Sequence, residues 1–333
     1  MRAMQLQQLA TMTPDSRPLA AVRIDTPQPA AGEMLLRVRT CGVCHTELDE
    51  IEGRLPPPRL PVIPGHQVVG EVVDANGTQI DAGTRVGVGW IHRSDGTPHE
   101  NISDAFVATG CDVNGGYAEY MTVPAGYAVP VPDALSDAAA APLLCAGAIG
   151  YRAVMLAGVS DGDPIGLSGF GGSAHLVLQL CRHLYPASPV FVFARADETR
   201  RFAKDLGADW VGGHDEAPPL LAQAIIDTTP AWQPVVSALA ALRPGGRLVI
   251  NAIRKEAGDQ SALLDLSYHE HLWMEREIKS VANITRNDIA RFLPLAAEAN
   301  ITATTQTYEL DAANEALVSL KFDATMGAKV LVV

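Results

Sequence analysis

The chain has 333 residues, enough for two domains or one large α/β unit, and its 47% hydrophobic and 19% charged residues exclude wholesale disorder. A formal net charge of -13 excludes attraction to nucleic acid or to an anionic membrane surface. Five cysteines, an odd and sparse set, exclude a disulfide framework.

The first eight residues lack the apolar core of a signal peptide. The most apolar stretch, 138–150, reads as too short to span a bilayer and contains Pro142. The expectation is a cytoplasmic protein with no membrane and no nucleic-acid partner.

Up to about residue 130 the chain is rich in Val, Gly and Pro. Short alternating runs such as Met34-Leu35-Leu36-Arg37-Val38-Arg39 are interrupted by turn signals at Pro64-Gly65, Asn76-Gly77 and Asn114-Gly115-Gly116. This pattern predicts an antiparallel β domain with irregular loops. Residues 136–159 are Ala-rich and predicted helical. Ile165-Gly166-Leu167-Ser168 then reads as a strand. Val177, Leu180, Cys181 and Leu184 follow at i, i+3, i+4 and i+7, one face of a helix. Val190-Phe191-Val192-Phe193 is the next predicted strand, and later ones fall at Ala224-Ile225-Ile226, at 247–250 and at 278–281. Strand and helix in repetition imply an α/β unit with a doubly wound parallel sheet. The tail reads as helices over 288–300 and 312–320 and a final strand over 329–333.

Between the first of those parallel strands and its helix lies Gly169-Phe170-Gly171-Gly172-Ser173-Ala174. This G-x-G-x-x-A turn is a variant of the dinucleotide fingerprint. Gly169, Gly171 and Gly172 permit a sharp turn and close approach of a pyrophosphate, Ser173 opens the helix, and Ala174 is small enough to pack on the strand. In the structural reading the same residues are only a tight turn. The following strand ends in Phe193-Ala194-Arg195, with no carboxylate to hold ribose hydroxyls. Arg195, with Arg200 a helical turn further on, suits a 2′-phosphate. The cofactor expected is therefore NADP or NAD, with NADP favoured. Asp197 and Glu198 stand in the same turn and could offset that charge.

Cys41-Gly42-Val43-Cys44 is open, on residue type alone, to a redox pair or part of a metal site. With no second C-x-x-C a zinc ribbon is excluded, and the surroundings do not read as a thioredoxin-like junction. One cysteine could instead join His66, in Pro64-Gly65-His66-Gln67, and Cys145, in Leu143-Leu144-Cys145-Ala146-Gly147. Three Cys and His ligands with an open fourth position describe a catalytic zinc site. Spacing does not choose, and a lone His beside a turn is usually structural.

The series Cys41-Gly42-Val43-Cys44-His45-Thr46-Glu47, Pro64-Gly65-His66, Gly115-Gly116-Tyr117-Ala118-Glu119-Tyr120, Leu144-Cys145-Ala146-Gly147 and Gly327-Ala328-Lys329-Val330-Leu331 resembles, in order and spacing, the zinc-containing medium-chain alcohol dehydrogenases. The resemblance covers essentially the whole chain. It implies a GroES-like antiparallel β catalytic domain over 1–148, a Rossmann dinucleotide-binding domain over 149–286, and a return to the first domain over 287–333. It implies that Cys44, His66 and Cys145 bind the catalytic zinc and that Cys41, Cys111 and Cys181 are bystanders. Thr46 matches the position that takes the alcohol proton, and His45 one that contacts cofactor phosphate. The implied reaction is reversible hydride transfer between an alcohol and its aldehyde or ketone, in a homodimer or homotetramer.

Three departures from the family pattern matter. The stretch 90–110 lacks the four closely spaced cysteines of a structural zinc lobe, so one zinc per chain is expected and no structural zinc. Gln67 stands where a glutamate is common, which removes a negative charge near the metal. Asp49 stands where the proton relay often ends in histidine. Asp49 or Glu50 could still take a proton, or be a plain surface carboxylate. The substrate wall is expected from Trp90, Leu144 and the loop after Ile250. Two competing functions are a zinc-free quinone or enoyl reductase of the same superfamily, and a non-catalytic NADPH-binding relative. The joint presence of Cys44, Thr46, His66 and Cys145 argues against both.

Overall fold

The computed structural model describes residues 1–323 and 327–333. The chain forms two compact units, Met1–Ala148 with Asn283–Val333, and Ile149–Ala282.

In the first unit β1 (Arg2–Leu6) pairs antiparallel with β2 (Leu19–Arg23). The spine is β3 (Glu33–Val43). Its first half turns Met34, Leu36 and Val38 inward and Arg37 and Arg39 outward, the period-2 alternation of a half-buried strand. From Thr40 the strand is buried on both faces, because the helix Asp137–Pro142 packs against it, Thr40 Oγ1 donating to Asp137 O at 3.0 Å, before the chain enters α1 (His45–Ile51). Next come β4 (Gln67–Asp74), β5 (Arg85–Val88), β6 (Ile91–Arg93), β7 (Val107–Ala108), β8 (Tyr120–Pro124) and β9 (Ala128–Pro130). Met34, Leu36, Val68, Val72, Val86, Tyr117 and Met121 fill the core beneath this sheet. Each such side chain contributes about 1.5–3 kcal/mol on burial.

A helical run follows: α2 (Asp137–Pro142), a wide π-type turn over Leu143–Gly147, and α3 (Ala148–Ala157). Ser136 caps its start by accepting from the Ala139 N–H at 3.3 Å. At 21 residues this run is long and apolar enough, by length and composition, to cross a membrane, so the apolar stretch is longer than the 138–150 read from sequence. Of its most apolar window, 61% is buried inside the protein, as in a core helix.

The second unit is built on β10 (Ile165–Ser168), α4 (Ala174–Leu184), β11 (Val190–Phe193), α5 (Asp197–Asp205), β12 (Trp210–Gly212), β13 (Ala222–Asp227), α6 (Gln233–Ala240), β14 (Leu242–Ile250) and β15 (Glu277–Ser280). Its six strands are all parallel, in the order β12-β11-β10-β13-β14-β15. β10 and β11 are buried at every residue, which is why they read as continuous apolar runs rather than alternating ones. The winding reverses between β10 and β13, so the carboxyl ends of these two strands form the topological switch point.

The chain returns to the first unit at Asn283, earlier than the expected residue 287. Asn283 is in the left-handed region (φ 53°) and its amide donates to Asn101 O at 3.3 Å, which ties this residue to the first unit. Then come α7 (Arg286–Glu298), β16 (Thr305–Glu309), α8 (Ala313–Phe322) and β17 (Ala328–Val332). β17 pairs antiparallel with the second half of β3, with Leu331 opposite Cys41, while β8 pairs with the first half. The sheet order is β16-β17-β3-β4-β5-β9.

Candidate active site

Cys44 leaves the end of β3 as the residue before α1. Glu47, three positions on, accepts the Cys44 N–H through Oε2 at 2.7 Å, which starts the helix and fixes the Cys44 backbone. His66 stands immediately before β4. The turn that delivers it needs Gly65, which has φ +99°. A Cβ there would lie 2.3 Å from the Tyr117 ring and 2.8 Å from Cys41 Sγ. Cys145 sits in the π-type turn after Pro142, a wide turn of the kind often found at functional positions.

These three segments bring Cys44, His66 and Cys145 together. Their ligand atoms all lie within 4.8 Å of one another, the one such group among the described residues. His66 is 1% exposed, and its Nδ1 lies 2.7 Å from Glu47 Oε1. Both ring nitrogens are buried without a well-formed hydrogen bond, and the close Glu47 contact at Nδ1 points to Nε2 as the nitrogen that would serve a metal. The thiol of Cys145 beside it holds Cys44 well below the ordinary thiol range, and His66 adds to this against the effect of burial. The contact with Cys44, and then burial, raise the Cys145 thiol well above its ordinary range. Burial would lower His66, but the Glu47 carboxylate and the Cys44 sulfur outweigh it and raise the imidazole well above its usual value. Two sulfurs and one imidazole nitrogen, gathered within 4.8 Å of one another, are a donor set suited to zinc.

Cys41 is excluded from this group by packing. It is fully buried, its thiol is pushed well up by burial and then by Glu47, and its sulfur contacts Gly42 O at 3.6 Å. Cys111 and Cys181 are also buried, with burial pushing each thiol up to about 12. Thr46 is 6% exposed, with Oγ1 3.6 Å from Cys44 Sγ. His45 is exposed at the first position of α1. Asp49 is buried, and its Oδ1 accepts from Arg54 Nε at 2.6 Å. Glu50 is 1% exposed, with both oxygens buried and without a hydrogen-bond partner among the described residues. Burial, then the charge of Glu47, raises its carboxyl well above the usual range. Trp90 flanks His66 with ring centroids 6.1 Å apart and packs edge-on against Phe106 at 5.7 Å, so an aromatic wall stands beside the imidazole.

Sequence reasoning passed over Glu47 and Phe106. Glu47 carried a readable signal, an acidic residue three positions after the residue that begins a helix. Phe106 carried none, because its contact with Trp90 is made across loop segments.

In the second unit the glycine turn joins β10 to α4. Gly169 has φ +79°, and a Cβ on it would lie 2.9 Å from both Thr228 Oγ1 and Thr229 Cγ2. A Cβ on Gly171 would meet nothing within 4 Å, so there is open space on that side of the turn. Gly172 and Ser173 lead into α4, whose first residue is Ala174. Ala194, at the end of β11, is buried, while Arg195 is exposed and has no carboxylate paired with it among the described residues. Arg200 is already engaged: its guanidinium donates to Asp197 and, at 3.2 Å, to Ala194 O.

The lobe 94–110 is pinned by polar contacts. Glu100, 1% exposed, accepts from the Arg286 N–H at 2.9 Å and from Tyr127 OH at 3.2 Å, and Ser94 Oγ donates to Glu100 O at 2.8 Å.

A parallel sheet with a glycine-rich first turn, and in the same chain an antiparallel β unit that gathers two thiols and an imidazole, are the features of an oxidoreductase. Residues 30–133 match the alcohol dehydrogenase GroES-like domain family. The chain is 40% identical over 332 residues to a probable alcohol dehydrogenase AdhA of Mycobacterium tuberculosis, covering 96% of this chain and 94% of that one. The fold is shared with a cobalt- and zinc-bound thermostable alcohol dehydrogenase of Pyrobaculum aerophilum, with TM-score 0.85, 23% identity and 99% of both chains covered. It is shared also with CAD from Helicobacter pylori complexed with NADP(H), with TM-score 0.82, 19% identity, and 99% and 98% covered. The chain belongs to the medium-chain alcohol dehydrogenase family. It is an alcohol dehydrogenase, and its Cys44–His66–Cys145 cluster is compatible with a zinc site.

Proposed function

We propose that this alcohol dehydrogenase works with one catalytic zinc per chain, held by Cys44, His66 and Cys145, no structural zinc, and NADP in preference to NAD. The observation that carries the reading is the convergence of the three ligand atoms within 4.8 Å, with His66 Nε2 buried and unsatisfied. The Pyrobaculum enzyme described as cobalt and zinc bound, and the Helicobacter one complexed with NADP(H), support the two cofactors.

Bound there, zinc supplies Lewis acidity toward the oxygen of an alcohol or carbonyl, and the nicotinamide supplies the hydride acceptor or donor. The protein's part is to bind, orient and move a proton. Glu47 orients His66 through Nδ1 and Cys44 through its N–H. Thr46 Oγ1, beside Cys44 Sγ, takes the substrate proton, and Asp49 or Glu50 receives it further on. Trp90 and Phe106 give the substrate an apolar, aromatic wall. Residues 1–148 act as the catalytic domain, with the C-terminal return, and the parallel-sheet unit binds the dinucleotide. Gly169, Gly171, Gly172, Ser173 and Ala174 cradle the pyrophosphate at the start of α4, and His45 contacts a cofactor phosphate. Arg195 takes the 2′-phosphate. Arg200 is a second contact only if it leaves Asp197.

The substrate is a small alcohol, aldehyde or ketone. The protein is cytoplasmic, a reading supported by the burial of most of the one long apolar helical run found among the described residues. It is a homodimer or homotetramer, and the exposed edge strand β15 with Ile278, next to Trp273 and Met274, supports such pairing. The test is metal analysis with a panel of alcohols and aldehydes assayed with both cofactors, in wild type and in Arg195→Ala. One zinc per chain and an NADP preference that Arg195→Ala erodes are expected. Two tightly held zincs, or a strong NAD preference, overturn the corresponding part.

A further inference from the structure

At the switch point of the parallel sheet lies a buried ion pair that the reaction does not itself use. Asp227, fully buried, ends β13, and Lys255 lies in the loop after β14 with its side chain 8% exposed. Every acceptor and donor is matched. Asp227 Oδ1 accepts from Ser168 Oγ at 2.9 Å, Thr229 Oγ1 at 2.8 Å and Thr229 N at 3.2 Å. Asp227 Oδ2 accepts from Lys255 Nζ, which donates also to Thr229 O at 2.7 Å and Ala231 O at 3.0 Å. The three protons of the ammonium thus have three acceptors, so Lys255 has no donor left for a ligand.

What the pair holds is backbone. Lys255 stitches the loop 251–257 to the loop 228–232, and the Glu256 N–H adds a bond to Pro230 O at 2.7 Å. Both loops connect onward to the glycine turn. Asn251 Nδ2 donates to Ser173 Oγ at 3.3 Å, and the Thr228 N–H donates to Ser168 O at 2.9 Å. Thr228 and Thr229 close the space beside Gly169. Three segments that follow β10, β13 and β14 at their carboxyl ends, where an open α/β sheet binds its ligand, are therefore joined through one carboxylate and one ammonium.

We propose that Lys255 and Asp227 are positioning residues for the dinucleotide, a clasp that holds the loops after β13 and β14 in register with the Gly169–Ala174 turn. This rests on the reading of that turn as the cofactor cradle. Loops that must be ordered on binding weaken the complex, and loosening the clasp is expected to cost about tenfold in cofactor affinity. Lys255→Met alone strands a buried carboxylate. The Asp227→Asn/Lys255→Met double variant removes both charges and keeps an Oδ1 acceptor for Ser168 and Thr229.

The experiment is fluorescence titration of NADPH and NADH into wild type and both variants. Steady-state kinetics, zinc content and thermal unfolding are measured on the same samples. In the variants the cofactor Kd and cofactor KM should rise about tenfold, while kcat at saturating cofactor and the alcohol KM stay near wild type. A folded double variant with the wild-type cofactor Kd overturns the clasp and leaves the cofactor reading standing. Wild type that binds neither nucleotide overturns both. Independently of any variant, NADPH should slow amide hydrogen exchange of wild type at 228–231 and 251–256. Unchanged exchange there also overturns the clasp.

Discussion

Glu47 offers the sharpest test of the metal centre, because one side chain performs two separable tasks. Its Oε2 accepts the Cys44 N–H at 2.7 Å, and its Oε1 lies 2.7 Å from His66 Nδ1, both in a fully buried setting. In Glu47→Gln the amide oxygen can still serve one of these donors, but the charge opposite the imidazole is gone. Loss of a carboxylate behind a ligating histidine costs about 10–100-fold in metal affinity, or about 1.4–2.7 kcal/mol. Glu47→Ala removes the cap of α1 as well, which adds about 1 kcal/mol to the loss of folding stability. The two variants should therefore fall together in zinc affinity and separate in stability. Zinc affinity is read by competition with a chromophoric chelator, and stability by denaturant unfolding of the metal-free proteins. A Gln variant that holds zinc as tightly as wild type refutes the role assigned to the carboxylate. An Ala variant no less stable than the Gln variant refutes the capping argument.

Thr46→Ala should lower the hydride-transfer step by about 10²-fold or more while cofactor affinity stays unchanged, with Thr46→Ser largely restored; single-turnover rates with a deuterated alcohol read this, and equal rates remove Thr46 from the proton route. Burial would raise the Glu52 carboxyl, but Lys321, the Met12 N–H and Arg54 outweigh it and hold it at about 2. A depressed carboxylate contributes stability that is fully present above its unfolded value near 4.5 and is lost as pH falls toward about 2. The shift corresponds to about 3 kcal/mol, roughly halved because Arg54 is partly solvent-screened. Denaturant unfolding of Glu52→Gln should differ from wild type at pH 7 and converge with it near the acid end, and a constant difference across that range would count against the linkage. Glu100→Ala leaves the Arg286 N–H and Tyr127 OH without their buried acceptor and should destabilise by about 2–4 kcal/mol, with zinc content unchanged. A Glu100→Ala protein as stable as wild type would show that the 94–110 lobe is held otherwise.

Much of the architecture was legible because it follows from local rules. A strand buried on both faces must be apolar throughout, so β10 and β11 announced themselves at 165–168 and 190–193. A helix packed on one side must repeat its apolar residues at helical spacing, so α4 did likewise. The glycine turn was readable for the same reason, since glycine takes the φ of +79° at Gly169 without steric cost. β12 escaped notice because three residues, Trp210–Gly212, are too short to carry a period.

The site itself divides differently. The sequence by itself contained the three side chains of the candidate metal cluster, Cys44, His66 and Cys145, and their types are those of thiolate and imidazole chemistry. It did not determine, from spacing alone, which of Cys41 and Cys44 would lie with the other two. That was decided by β3, which buries Cys41 in the sheet opposite Leu331 and leaves Cys44 at the strand's end, near His66 and Cys145. Glu47 behind His66 and Lys255 on Asp227 were decided in the same way, whereas Asp197 on Arg200 is a local i,i+3 pair of one helix. Burial sets which charges must find partners, because an unpaired charge in the interior is too costly to keep. Which partner each one finds depends on segments that meet only after the sheets have closed, a distance that no local pattern of residues records.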